Sequence, residues 1–129
     1  MAPEYAWGIV RGAMIAVALG IEEISVIEFG VAEGNGLIAM DSVAQEVESI
    51  FGIGCAVVGF DTGKGMPPAV DHRDAPFAVR EGQFAMDAQK LRSRLQRAEL
   101  KLGPLGDTVE VHASPVGVPQ AVAGDDVRR

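Results

Sequence analysis

The stretch Ile24-Ser25-Val26-Ile27-Glu28-Phe29-Gly30-Val31-Ala32-Glu33-Gly34-Asn35-Gly36 decides the fold, because it reads as a strand running into a glycine-rich turn. Ile24, Val26 and Ile27 supply a β-branched run, which predicts a buried strand, and the glycines end it. At Gly30, Gly34 and Gly36 the backbone can approach a ligand where a Cβ would collide. Leu37 to Phe51 has helical character: Leu37, Met40, Val43, Ala44, Val47 and Ile50 share one face, while Asp41, Gln45, Glu46 and Glu48 take much of the other. A strand, a glycine turn and a helix N-terminus together make a nucleotide-type pocket. An ordinary strand-to-helix turn is the plain alternative, since a lone glycine motif is weakly specific.

Downstream, Gly52 and Gly54 close the helix, and Cys55-Ala56-Val57-Val58-Gly59-Phe60 predicts a second strand, buried on both faces rather than alternating. The order strand, helix, strand implies a parallel crossover and an α/β, Rossmann-like parallel sheet with flanking helices. Asp61 then stands at the carboxyl end of the second strand, where such sheets bind ligands. An acid there can accept from both hydroxyls of a ribose, or simply cap the turn before Thr62-Gly63. Upstream, Tyr5 to Leu19 predicts a helix packed on the sheet, with Gly20 as its stop. That run is shorter than the roughly 20 apolar residues of a membrane span. Tyr5 and Trp7 read as core or hinge packing in preference to a stacking platform.

Composition narrows the functional classes. A chain of 129 residues fits one domain or part of one, and a 48% hydrophobic fraction excludes wholesale disorder. The formal charge of −7 argues against nucleic acid as a partner and favours a small ligand. The single Cys55 cannot form an internal disulfide and reads as a buried thiol, which with no secretory pattern at the start predicts a cytoplasmic protein with no membrane partner.

With both motifs in view, Glu28-x-Gly30-x-Ala32-x-Gly34 followed by Gly59-Phe60-Asp61-Thr62-Gly63-Lys64-Gly65-Met66-Pro67 resembles the macrocin O-methyltransferase-like group of class I S-adenosylmethionine (SAM) methyltransferases, over about Tyr5 to Asp107. The resemblance implies SAM as cofactor, with Glu28, Gly30, Ala32 and Gly34 as the first motif and Asp61 as the ribose-binding acid. Glu28 suits the ammonium of the amino-acid end, directly or through water. Ala32 replaces a family glycine, which predicts negative φ at that position, and Lys64 departs from the aromatic or acidic residue common in this loop. NAD is disfavoured by the glycine spacing.

Pro67 and Pro68 open a polar loop with Asp71, His72, Arg73 and Asp74, read as a solvated lid rather than a metal or acid/base centre; His72 stays a candidate without an assigned role. Asp87 predicts the N-cap of a helix carrying Leu91, Leu95, Ala98 and Leu102 on one face and Lys90, Arg92, Arg94, Arg97 and Lys101 on a solvated basic side. Asp107 to Ala113 predicts a third strand, with a structural His112, and the Pro- and Gly-broken run from Ser114 predicts a disordered tail, so the ordered domain is placed at residues 1–113.

By the resemblance, relatives continue into further strands that bind a metal or position the acceptor. The chain therefore matches the cofactor-binding first half, no catalytic residue or metal ligand is assigned, and SAM binding without useful turnover is expected. The alternative is a non-catalytic interaction module that keeps the fold. Its central strand should be flanked on both sides, and with later strands missing an edge and apolar faces would be covered by self-association into a homo-oligomer or by a partner chain.

Overall fold

The computed structural model describes residues 3–103 and is an α/β arrangement: a three-stranded parallel sheet with flanking helices. Helix α1 spans Pro3–Ala18, strand β1 Glu23–Phe29, helix α2 Asn35–Phe51, strand β2 Gly54–Asp61, helix α3 Ala88–Arg94 and strand β3 Glu99–Leu102. The strand order is β1-β2-β3, and the register pairs Glu28 with Gly59 and Phe29 with Phe60, so the two glycine turns leave the sheet side by side. The predicted strand at 107–113, His112 and the tail from Ser114 lie outside the described residues.

Local chemistry sets the boundaries. Gly20 (φ 70°) ends α1: its N–H donates to Val17 O at 3.1 Å while Ile21 N–H donates to Ala16 O at 2.9 Å, a paired closure that satisfies the last carbonyls. Gly52 (φ 67°) ends α2 in the same left-handed conformation. Asp87 caps α3 by accepting from Lys90 N at 2.9 Å, as its sequence position predicts.

The core is one cluster beneath the sheet, with Leu37, Met40, Val43, Ala44 and Val47 of α2 against Cys55 and Val57 of β2, Ile9, Ala13 and Ala16 of α1, and Leu91 of α3. All three helices thus contribute to one side, and both β1 and β2 alternate. In β1 the half-buried Ile24, Val26 and Glu28 point to the helices while Ile27 and Phe29 are exposed on the far face. In β2 Cys55, Val57 and Gly59 face the core, and Ala56 and Val58 are half-buried opposite. The expectation of strands buried on both faces is corrected: a continuous β-branched run cannot by itself tell two covered faces from one. Among the described residues β1 is an edge rather than the centre of the sheet.

Four further assignments change. Asp41 is buried at 3% exposure, because both carboxylate oxygens accept backbone N–H groups: Gln96 N at 2.6 Å and Arg97 N at 3.3 Å on one, Ala98 N at 3.0 Å on the other. That capture stops the predicted helix over Leu91–Leu102 at Arg94 and releases Glu99–Leu102 to pair with β2, so a strand stands where helix was predicted. Ile50 is 72% exposed, its place against the core being taken by Phe51, one turn beyond Val47. Trp7 is also exposed rather than packed. Among the described residues no helix is long and apolar enough to cross a membrane.

Candidate functional site

At the carboxyl ends of β1 and β2 the two turns are tied together by one side chain. Asp61 accepts from Ala32 N at 3.0 Å through one oxygen and from Gly63 N at 2.7 Å through the other. Asp61 O also accepts from Gly103 N at 3.0 Å, which fixes the end of β3 to the same point. The bond to Ala32 explains that residue's backbone. Ala32 adopts φ 51°, against the negative φ expected of a residue with a Cβ, because its N–H has to turn toward the carboxylate. A non-glycine residue in this region costs about 1–2 kcal/mol, offset here by a charge-assisted hydrogen bond.

Between the turns lies a crevice of about 280 Å³, lined by Gly30, Ala32, Phe60, Asp61, Thr62, Gly65, Met66 and Phe84. Its wall is mostly apolar with Asp61 as the one acid, the composition of a small-molecule site. A Cβ added to Gly30 would meet nothing within 4 Å among the described residues, which leaves room there for a ligand. Phe60 is buried beneath, stacked on Phe29 with centroids 5.4 Å apart. The roof is the loop after β2, pinned where Met66 N donates to Gln83 O at 2.8 Å and Gly82 N to Met66 O at 2.9 Å. Phe84 holds φ 65°, unusual for a bulky residue, and presents its ring to the crevice wall.

Glu28 lies on the helix side of the same turn, outside the crevice lining. Its Oε1 accepts from the Tyr5 hydroxyl at 3.4 Å, and its Oε2 is buried with no hydrogen-bond partner among the described residues. Burial raises the Glu28 carboxyl above its ordinary range and the nearby Asp61 charge adds to this, against the opposing Tyr5 hydrogen bond. The Glu28 charge in turn raises Tyr5. Gly36 makes room for this pair, since a Cβ there would come within 2.3 Å of Glu28 Oε1 and 2.9 Å of the Tyr5 hydroxyl. Gly34 (φ 88°) serves packing instead: a Cβ would sit 2.3 Å from a Leu91 methyl.

The structure therefore gathers Gly30, Ala32 and Asp61 around one crevice, sets Glu28 beside it under the turn, and gives Gly34 a structural task. Sequence reading missed Phe60, Met66 and Phe84 as lining residues and Tyr5 as the partner of Glu28. Only Phe60, adjacent to Asp61, carried a local signal. His72 is exposed in a 3-10 turn over His72–Asp74. Its acidic neighbours are occupied elsewhere: Asp71 accepts from Arg73 N at 2.8 Å, and Asp74 accepts from Val70 N at 2.7 Å. Among the described residues no group of three His, Cys, Asp or Glu side chains could hold a metal ion. No protein-family model, curated protein or solved structure matches the chain.

Proposed function

We propose that this chain binds SAM in the Asp61 crevice, as the cofactor-holding part of an O-methyltransferase of small molecules. The observation that carries the reading is the convergence of both glycine turns on Asp61. Each carboxylate oxygen has two lone-pair sites, so an Asp61 holding one N–H on each oxygen retains one acceptor site on each. Two adjacent acceptors suit the two hydroxyls of a ribose. Phe60, Met66 and Phe84 supply apolar surface for a planar base, and the open backbone at Gly30 admits close approach.

Glu28 fits the cationic end of such a ligand for an electrostatic reason. A buried carboxylate oxygen without a partner is costly, and an ammonium, directly or through one water, offsets that cost. SAM itself supplies an electrophilic methyl group on its sulfonium. The chain's part is to hold and orient it, and positioning of this kind accounts for about 7–11 kcal/mol of a bimolecular barrier. The small hydroxylated acceptor rests on the resemblance of Gly59 to Pro67 to the macrocin O-methyltransferase-like group.

Ligand-dependent thermal unfolding distinguishes SAM from NAD. At a hundredfold excess over its dissociation constant a ligand stabilises the folded state by about 2.7 kcal/mol. A rise in Tm with SAM and none with NAD supports the assignment; the reverse result, or no shift with either, removes it.

A further inference from the structure

We propose that two copies of this chain pair antiparallel through β1, about a two-fold axis at Val26, to make one continuous sheet. The β1 edge is unpaired among the described residues, and the pairing is independent of what the crevice binds.

The two edges of the sheet differ. β3 is four residues long and carries Glu99 and Lys101, charges of the kind that discourage strand addition. β1 is seven residues long, has no proline, and keeps the uncharged run Ile24-Ser25-Val26-Ile27 between its two charges, Glu23 and Glu28. Its hydrogen-bonding groups are sorted by parity. Gly54 N donates to Glu22 O and Gly30 N donates to Phe60 O, so even-numbered residues of this segment face β2. The N–H and C=O groups of Ser25 and Ile27 therefore point away from the sheet, and among the described residues nothing meets them.

The sequence of β1 is self-complementary in one register. With Val26 opposite Val26 of the second copy, Ser25 faces Ile27, Ile24 faces Glu28 and Glu23 faces Phe29. The outward-pointing residues fall opposite one another as hydrogen-bonded pairs, and the whole strand is used. No carboxylate lies opposite a carboxylate. Shifting the axis by one residue toward the start of the strand would set Glu22 against Glu28, a like-charge pair that destabilises.

An axis perpendicular to the sheet also brings the two α1 helices to the same face. Beside β1 lies a groove of about 470 Å³ walled by Gly8, Ile9, Gly12, Ile24 and Val26, with no residue of β2 in its lining. Trp7 (71% exposed) and Ile15 (54%) are apolar surface on that helix. A second α1 covers them in an isologous contact. The carboxyl ends of the two β1 strands point in opposite directions, so both Asp61 crevices stay open.

Sedimentation equilibrium and amide hydrogen exchange on the full chain test this. The expected result is a dimer, with exchange at Ser25 and Ile27 slowing as protein concentration rises. Ser25→Pro removes only an outward-facing donor and leaves the β1–β2 ladder intact. It is expected to give a monomer with unchanged circular dichroism. A wild-type monomer, an open-ended series of larger species, or a folded Ser25→Pro dimer overturns the proposal. Should Ser25→Pro fail to fold, exchange in the wild type decides: concentration-dependent protection at Ser25 and Ile27 supports the pairing. Protection that does not vary with concentration means another segment of the same chain covers the edge, and the proposal falls.

Discussion

Replacing Asp41 by alanine should strongly destabilise this protein, although Asp41 is far in sequence from the amides its carboxylate holds. Its carboxylate receives Gln96 N, Arg97 N and Ala98 N, the three amides that turn the chain from α3 into β3. A hydrogen bond to a charged group contributes about 1.5–3 kcal/mol, and three would sum to about 4.5–9 kcal/mol. The sum overstates the loss, because Gln96 and Arg97 are exposed and water can reach part of that turn once the carboxylate is gone. The Arg97 bond at 3.3 Å is also long. An expected cost of about 3–5 kcal/mol remains, the scale of breaking one partner from a buried ionic site. Total stabilities run to about 5–15 kcal/mol, so a large share of the margin would be consumed. Asp41→Asn should recover only part, since its amide NH₂ would face donors. Urea unfolding followed by far-ultraviolet circular dichroism gives the number, with exposed Ser42→Ala as a control expected within about 0.5 kcal/mol of wild type. A loss below about 1 kcal/mol for Asp41→Ala would refute the argument that this carboxylate seats β3.

Ala32→Gly should stabilise by about 0.5–1 kcal/mol in the same urea assay, because relief of positive φ outweighs the added freedom of the unfolded chain. Gly36→Ala should change stability by no more than about 1 kcal/mol, since the atoms its Cβ meets are side-chain ends that can move, yet it should weaken SAM binding in calorimetry by displacing Glu28. Glu48 accepts from the Arg97 guanidinium and from Cys55 N, which lower its pKa from 4.5 to about 2. Because the folded value is depressed, this contribution is complete above about pH 4.5 and is lost as pH falls toward 2. Arg97 is half exposed, so Arg97→Ala should destabilise only slightly at neutral pH, and the difference from wild type in urea unfolding should shrink as pH falls through that window.

What the sequence disclosed follows the range of the interactions involved. The strand Ile24–Phe29, the glycine turn and the periodic face of α2 depend on neighbours a few residues apart, and all are legible. The glycines at 20 and 52 and the cap at Asp87 are equally local. Asp41 reads as solvent-facing because aspartate on a helix usually is, and its burial depends on amides 55 to 57 residues away. The same long-range capture cuts short a helix whose Leu91, Leu95, Ala98 and Leu102 have convincing helical spacing. Exposure of Ile27 and Phe29 escaped for another reason: a short apolar strand looks the same whether one face or two are covered. At the crevice, Asp61 and Gly30 are marked by their place at strand ends, whereas Met66 and Phe84 arrive from a loop with no periodic pattern to announce them.

Calorimetric titration of the folded chain with SAM, repeated on Asp61→Asn, tests the central claim most directly. Asparagine keeps the shape of the side chain but removes its charge and one acceptor, so the ribose contact and the bond to one turn are both weakened. Saturable binding at one site per chain is expected in the wild type, with at least about tenfold weaker binding in a folded Asp61→Asn, a loss of about 1.4 kcal/mol. Absence of binding to the folded wild type, or equal affinity in the two proteins, would contradict it.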